Sequence, residues 1–198
     1  MGTRHLTCVL VDDKIRVAQY GQWDGYPDGA GSHCCNFIKE NDMGSFAEKV
    51  RQTTELSDDE IEDRWRECGA DGSGFVNMEV SDDFEKKYPQ LHRNCGANIL
   101  DLIAIGVTEV SLSTEFAADS LFCEWVWLLN LDNQTLEVYE GFQKSPHEKG
   151  RFHSLESRDT HSGGTYYPVA LTHVIPFDEI KANGKQSLLD LYQEAEAE

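Results

Sequence analysis

Residues 16–31 constrain the fold of this chain more than any other stretch, because a β-strand pattern there changes into a glycine-rich loop. The glycines allow positive φ angles and close backbone approach, and proline fixes one φ angle. These residues are Gly21, Gly25, Pro27, Gly29 and Gly31. The pattern predicts a stiff loop at the end of a strand, a setting in which binding residues often concentrate.

The same loop carries Tyr20, Trp23 and Tyr26, each with a large apolar ring face and one polar group. Such rings can stack on a planar ligand, and the Asp24 carboxylate can accept a hydrogen bond from a ligand amine or amide. A structural interpretation is equally open. Aromatic rings in a loop also close the edge of a core, and an aspartate there also forms an Asx-turn.

Two partly alternating segments, residues 6–11 and 14–20, flank a short Asp12-Asp13 turn. This pattern predicts an N-terminal β-hairpin. The second strand of the hairpin leads directly into the glycine-aromatic loop. The loop would therefore start from a rigid element.

Helix signals dominate the middle of the chain, and strand signals return after residue 108. We predict helices starting at Ser32, at Gly44-Ser45, at a capping box on Ser57 and at Ser81. A second hairpin is predicted around Asp132-Asn133, followed by a last strand over residues 166–174 and a closing helix that includes residues 188–192. The prediction is a single α+β domain over residues 1–198, with an N-terminal hairpin, a helical middle and a largely antiparallel sheet.

The charge balance limits the classes of partner. With 17 basic and 36 acidic residues, the formal net charge is −19. This charge argues against direct binding to nucleic acid and against an anionic membrane surface. An acidic protein can instead occupy the basic, nucleic-acid-binding groove of a partner protein, and we keep that function as an alternative.

The six cysteines have irregular spacing, and the chain shows neither a secretory signal pattern nor an apolar run long enough for a membrane span. We therefore predict a cytoplasmic protein with reduced, buried thiols and no cofactor. Cys34 and Cys35 follow His33, yet no second cysteine pair completes a zinc site. We interpret His147, His153 and His161, in a polar loop over residues 141–164, as solvated side chains rather than metal ligands.

Residues 17–27 (VAQYGQWDGYP), preceded by Gly2-Thr3-Arg4, resemble a group of phage and fungal hypothetical proteins. Residues 129–132 and 136–142 are similar to a second block of that group. The resemblance implies a likeness of origin but no chemistry. If the chain is viral, a host nucleotide or host protein becomes a reasonable partner, and the location would be the host cytoplasm.

The opening Gly2-Thr3, followed by a strand, a turn and Val17-Ala18, resembles the start of the N-terminal-nucleophile hydrolases. That resemblance implies a layered α+β architecture, with Thr3 as nucleophile and its own amine as base. The positions of the supporting aspartate and lysine, counted from Thr3, hold Gln19 and Cys35 here. An amidohydrolase that uses Thr3 is therefore a second alternative function.

The first hypothesis is a non-catalytic protein that binds a small, nucleotide-like ligand or a host protein through the loop over residues 21–31. Trp23 and Tyr26 would stack on the ligand, next to Tyr20. Polar contacts would come from two groups of residues: Gln19, Gln22 and Asp24 for hydrogen bonds, and Arg4 and His5 for a phosphate or carboxylate. The sequence leaves the oligomeric state open.

Overall fold

The computed structural model describes residues 2–159 and 163–195. Its strands are β1 (His5–Val11), β2 (Lys14–Gly21), β3 (Thr54–Glu55), β4 (Glu109–Val110), β5 (Trp125–Asn130), β6 (Thr135–Glu140), β7 (Arg158–Asp159), β8 (Thr165–Tyr166) and β9 (Ala170–Pro176). Its α-helices are α1 (Ser32–Glu40), α2 (Met43–Arg51), α3 (Asp58–Glu67), α4 (Met78–Lys87), α5 (Ile99–Ala104), α6 (Phe177–Asn183) and α7 (Gln186–Ala195).

The main sheet has five strands in the order β2-β1-β5-β6-β9. Strands β1 and β5 run parallel, and every other neighbouring pair in this sheet is antiparallel. The α+β class and the N-terminal hairpin are confirmed, and the sheet is mixed. The described residues otherwise form two ladders of two strands, β3-β4 and β7-β8. They contain one large sheet.

A hydrophobic core lies on each face of the main sheet. On one face Val9, Trp127 and Leu129 contact a cluster contributed by α1, α2, α5, α6 and α7. On the other face Leu6, Cys8 and Leu128 join a second cluster, which Ala117 and Phe152 cover from the segments outside the sheet. Since successive side chains of a strand alternate between faces, both cores draw on the same strands.

The central strand β1 is buried along its whole length, as a strand covered on both faces must be. His5 and Thr7 are buried polar residues at the two positions that continue the alternation of Val9 and Val11. They therefore point toward the helical face of the sheet. This placement brings His5 under the glycine-aromatic loop and next to the residues that precede α5.

Helix starts follow local capping chemistry, with two shifts from the predicted positions. The capping box at Ser57 is present: its hydroxyl accepts from the Glu60 backbone, and the Glu60 carboxylate accepts from the Ser57 backbone. Helix α2 is capped by Asp42, which accepts from the Ser45 N–H. Helix α4 begins three residues before Ser81, with Asn77 as its cap, so the prediction of Ser81 as a cap was wrong.

The long polar segment after β6 is attached to the sheet through Phe152 and Arg151, among other contacts. Phe152 is buried against Tyr139, with ring centroids 4.9 Å apart. Arg151 donates to both carboxylate oxygens of Glu137, at 3.0 and 2.8 Å. A charged hydrogen-bonded pair of this kind fixes orientation as well as contributing energy.

The histidines of this segment have separate surroundings. The ring of His147 lies 2.8 Å from the Pro168 carbonyl oxygen, and that of His153 lies 2.6 Å from the Gly150 carbonyl oxygen. His161 lies outside the described residues. In the part of the chain that is described, no helix is long and apolar enough to cross a membrane.

Candidate functional site

The glycine-aromatic loop is bonded to the sheet through its backbone. The indole N–H of Trp127 donates to the Gly25 carbonyl at 3.0 Å, in a buried position. The Gly25 N–H donates to the Thr3 carbonyl at 3.0 Å, and the Ala30 N–H donates to the Asp24 carbonyl at 2.8 Å. Asp24 adopts a positive φ of 55°. Because these bonds join the loop to β5, to Thr3 and to itself, the loop is a preformed wall.

A cavity of about 340 Å³ lies between this loop and the residues that precede α5. We call it the loop cleft, and its wall consists of His5, Trp23, Asp24, Gly29, Ala30, His33, Asn94, Cys95, Gly96, Ala97 and Asn98. The volume falls at the lower end of the range for small-molecule sites. Its walls come from three separate parts of the chain, brought together by the sheet.

His5 is the most unusual group in the cleft. Its side chain is 2% exposed, and neither ring nitrogen makes a well-formed hydrogen bond with the described residues, although the Thr3 backbone lies close enough to affect the pKa of the ring. A buried polar group without a partner costs about 1–3 kcal/mol. Native structures contain few such groups, and each of them needs an explanation. A ligand edge that bonds to His5 would supply one.

Three glycines form the surroundings of the His5 ring. A Cβ atom added at Gly96 would lie 2.9 Å from Nε2, and one added at Gly25 would lie 3.0 Å from Nδ1. An added Cβ at Gly21 would overlap the ring itself. Glycine is therefore required at these positions because of close approach to His5.

Burial also sets the protonation state of His5. Desolvation lowers its pKa from 6.5 to about 4, against smaller opposing effects of the Thr3 backbone and the Asp24 charge. The imidazole is therefore neutral at pH 7, with one ring nitrogen as donor and the other as acceptor. A neutral ring of this kind matches an uncharged hydrogen-bonding edge better than an anion.

Trp23 forms the rim of the cleft. Its side chain is 49% exposed, and its indole N–H donates to the Asn94 side-chain oxygen at 3.1 Å. A Cβ added at Gly2 would overlap the Trp23 ring, so the ring lies directly on the Gly2 backbone. The large exposed ring of Trp23 is thus held in a fixed position at the rim of the cleft.

The charges around the cleft are negative. Asp24 belongs to the wall, and His33 bonds to the Asp101 carboxylate at 2.6 Å. No lysine or arginine is among the described wall residues. Cys95 also belongs to the wall, but burial raises the pKa of its thiol to about 12, which leaves it protonated.

The structure separates the residues that the sequence proposed for one site. His5, Trp23 and Asp24 meet in the loop cleft, whereas Gln19 and Tyr20 line a second cavity. The remaining three lie apart from the cleft wall. Gln22 accepts from the Tyr20 hydroxyl at 2.7 Å, Arg4 stacks over Phe122 at 4.8 Å, and Tyr26 is 51% exposed.

Thr3 is placed next to the loop. It is 3% exposed, and its carbonyl oxygen accepts the Gly25 N–H. In the amidohydrolase alternative, Gln19 and Cys35 take the supporting positions, and Cys35 lies in the core on the helical face of the sheet. Neither side chain brings a charge to Thr3.

Sequence reasoning missed the opposite wall of the cleft. The run Asn94-Cys95-Gly96-Ala97-Asn98 combines small and amide residues, a composition that allows close approach and hydrogen bonding. His33 was considered only as a metal ligand. The neighbouring Cys34 and Cys35 are buried in the core, and no group of three or more metal-binding side chains occurs in residues 2–159 and 163–195.

Comparison with known proteins adds no functional information to this geometry. No family model, no curated protein and no solved structure matches the chain.

Proposed function

We propose that this protein binds a small planar ligand with hydrogen-bonding edges, of the nucleobase or nucleoside class, in the loop cleft. The observation that carries the proposal is His5, a buried neutral imidazole with two unpartnered nitrogens in the wall of a cavity. A ligand that bonds to one of these nitrogens would relieve the cost of that nitrogen.

The charge of the cleft favours one part of a nucleotide-like ligand over another. Asp24 in the wall and Asp101 behind His33 repel a phosphate, and Arg4 stacks on Phe122 instead of lining the cleft. Nucleobases and nucleosides are uncharged, and they carry amide and amine edges that carboxylates and amides can bind. The proposal therefore concerns the base rather than the phosphate.

Trp23 supports the same ligand class. Its exposed ring at the rim of the cleft is suited to stacking, which contributes about 1–3 kcal/mol per base. Asn94 holds the indole in place through its side-chain oxygen. A ring fixed before binding loses less entropy when a ligand arrives.

The test is calorimetric titration of the protein with free nucleobases and nucleosides, paired with thermal melting. We expect wild type to bind at least one of them, and His5→Leu to lose that binding while remaining folded. His5→Leu should also melt higher than wild type without ligand, because it removes two unpartnered polar atoms at similar volume. Trp23→Ala should weaken binding about tenfold or more.

Tyr26→Ala is the matched control, since Tyr26 is an exposed aromatic residue of the same loop that is not part of the cleft wall. It should bind as wild type does. Unchanged binding in His5→Leu, or no binding of any base or nucleoside by wild type, would contradict the proposal.

A further inference from the structure

A second group of polar side chains lies outside the loop cleft, on α4 and the segment that follows it. Ser81 and Glu85 are four residues apart on α4, which places them on one face of the helix. His92 folds back between them. Its Nε2 atom lies 3.2 Å from the Ser81 hydroxyl oxygen, and its Nδ1 atom lies 3.5 Å from a Glu85 carboxylate oxygen.

This order of contacts is that of a nucleophile, a base and an orienting carboxylate. His92 is 3% exposed, which shields its ring from water, whereas the Glu85 side chain is 44% exposed. The aromatic ring of Phe84 lies 6.3 Å from the His92 ring, and Trp65 stacks on Phe84 with centroids 3.5 Å apart. The packing of these rings limits the movement of the imidazole.

The tautomer of His92 decides what Ser81 can do. The Asn94 backbone N–H reaches Nδ1 at 3.3 Å, in competition with Glu85. While Nδ1 accepts the Asn94 N–H, the ring proton is on Nε2, on the side of Ser81. Nε2 accepts from the Ser81 hydroxyl only after that proton has moved to Nδ1, on the side of Glu85. The bond to a carboxylate is charge-assisted, and it becomes stronger when the ring takes up a second proton.

The cavity beside Ser81 has a mixed wall, in which Ile61, Val76, Met78 and Leu91 form an apolar part that an acyl chain could contact. Its volume is about 690 Å³. We call it the serine pocket, and its wall is formed by Gln19, Tyr20, Ile61, Trp65, Val76, Met78, Ser81, Leu91, His92, Arg93, Ser111 and Ser113. Arg93 is the one lysine or arginine among these described residues, and no carboxylate is among them. A negative charge that develops in this pocket meets a cation and no anion.

We propose that Ser81, His92 and Glu85 hydrolyse carboxylic esters with an apolar acyl group, in a site separate from the loop cleft. The Ser81 oxygen attacks the ester carbonyl carbon, and its proton moves to Nε2 of His92. The tetrahedral intermediate then expels the alcohol, which leaves with that proton. The product of this half-reaction is an ester of the substrate acyl group with Ser81.

Water completes the cycle. His92 takes a proton from water as the resulting hydroxide attacks the acyl carbon, and the Ser81 oxygen regains the proton when the carboxylic acid departs. The net reaction is ester plus water to acid plus alcohol, with no oxidant or cofactor. Ser81 and His92 contact the reacting atoms, whereas Glu85 is a positioning residue.

Glu85 has a second partner that holds it in place. The Asn94 side-chain amide donates to both carboxylate oxygens, at 3.2 and 3.3 Å. Glu85 also raises the pKa of His92, while burial, the larger effect, lowers it. Removing the carboxylate charge should therefore move the ascending limb of the rate–pH profile to lower pH, since the base would lose its proton earlier.

The experiment uses the full chain with a fluorophosphonate probe and with p-nitrophenyl butyrate. Wild type should gain the mass of one phosphonyl group with loss of fluoride, and peptide mapping should find it on Ser81. Ser81→Ala should lose the label and all turnover above background. His92→Gln should lower both rates about 100-fold or more.

Two further variants keep the test decisive. Glu85→Gln should lower turnover and shift the pH profile as described, which loss of packing alone would not do. Ser145→Ala, at an exposed serine of the polar segment after β6, should behave as wild type. Melting curves would identify any variant that fails to fold. The proposal is overturned if wild type takes no label, if the label lies on Ser111, Ser113 or another residue, or if Ser81→Ala hydrolyses the ester as fast as wild type.

Discussion

The loop cleft and the serine pocket each contain a buried histidine, but the nitrogens of the two rings have different partners. His5 makes no well-formed hydrogen bond with the described residues, whereas His92 has a contact at each ring nitrogen. A ring without partners keeps its hydrogen bonds available for a ligand. A ring with partners on both sides is oriented in advance, which is what proton transfer needs.

Asn94 joins the two regions. Its side-chain oxygen accepts from Trp23 at the rim of the loop cleft, and its amide donates to Glu85 beside the serine pocket. The difference between the histidines shows that burial alone does not define the role of a buried histidine. The partners of the buried group do, and each of the following changes alters those partners.

The largest expected effect is on the pH dependence of stability. His5 is neutral in the folded protein because its pKa falls from 6.5 to about 4, while the unfolded chain takes up a proton below about pH 6.5. The folded state should therefore lose about 3 kcal/mol as pH falls from 6.5 to 4, at about 1.4 kcal/mol per pH unit. Chemical denaturation at a series of pH values measures this loss.

Two variants test whether the two histidines differ in their effect on the pH dependence of stability. His5→Leu should remove most of the loss, and His92→Gln should remove a smaller part, because Glu85 offsets some of the effect of burial on the pKa of His92. If both variants reduced the loss of unfolding free energy at low pH by the same amount, the two rings would contribute equally to it.

The next largest effect concerns the space around the unpartnered ring. Gly21→Ala places a Cβ atom in overlap with His5, so the ring must move. We expect a loss of about 1–3 kcal/mol in unfolding free energy, together with loss of ligand binding in the loop cleft. Denaturant titration and calorimetry provide the two measurements.

Gly44→Ala is the matched control for that change. An added Cβ there meets only Asp42 at 3.4 Å, and the position lies in α2, where alanine is favoured over glycine. Its stability should stay equal or rise. If Gly21→Ala were equally well tolerated, the tight arrangement around His5 would be incorrect.

A smaller effect is expected from the residue that joins the regions. Asn94→Ala removes exposed bonds to Trp23 and Glu85 and should cost about 1 kcal/mol. It should weaken binding in the loop cleft and slow labelling of Ser81. Asn94→Asp should keep the bond from Trp23 but repel Glu85, and should therefore slow labelling alone. An Asn94→Asp variant that lost binding and kept normal labelling would reverse this assignment.

The smallest effect is expected at Tyr26. Because its ring is exposed and lies outside the wall of either cavity, Tyr26→Ala should change the unfolding free energy by less than about 0.5 kcal/mol. Thermal melting is sufficient to measure it. A large drop in stability would show that this ring closes the core, as the structural interpretation of the loop allowed.

The local patterns predicted much of the fold because they act over short distances. The Asp12-Asp13 turn, the Ser57 capping box and the second hairpin around Asp132-Asn133 each follow from a few neighbouring residues. Ser81 is the instructive exception. The hydroxyl expected to cap α4 lies within the helix, because Asn77 caps it earlier.

The site was predicted in part. Trp23 and Asp24 share a loop, and His5 comes to them through the pairing of His5 with Gly21 in the hairpin. Arg4 precedes His5 in extended chain, so the two side chains point to opposite faces. Arg4 accordingly stacks on Phe122, away from the cleft.

The sequence by itself determined the hairpin, the glycine-aromatic loop and the acidic charge, since these depend on composition and on neighbouring residues. Tertiary structure alone decided that residues 94–98 form the second wall of the loop cleft and that His92 lies between Ser81 and Glu85. It also decided that β1 pairs in parallel with β5, more than 100 residues away. Such contacts depend on how the whole chain buries its apolar surface, which no local pattern encodes.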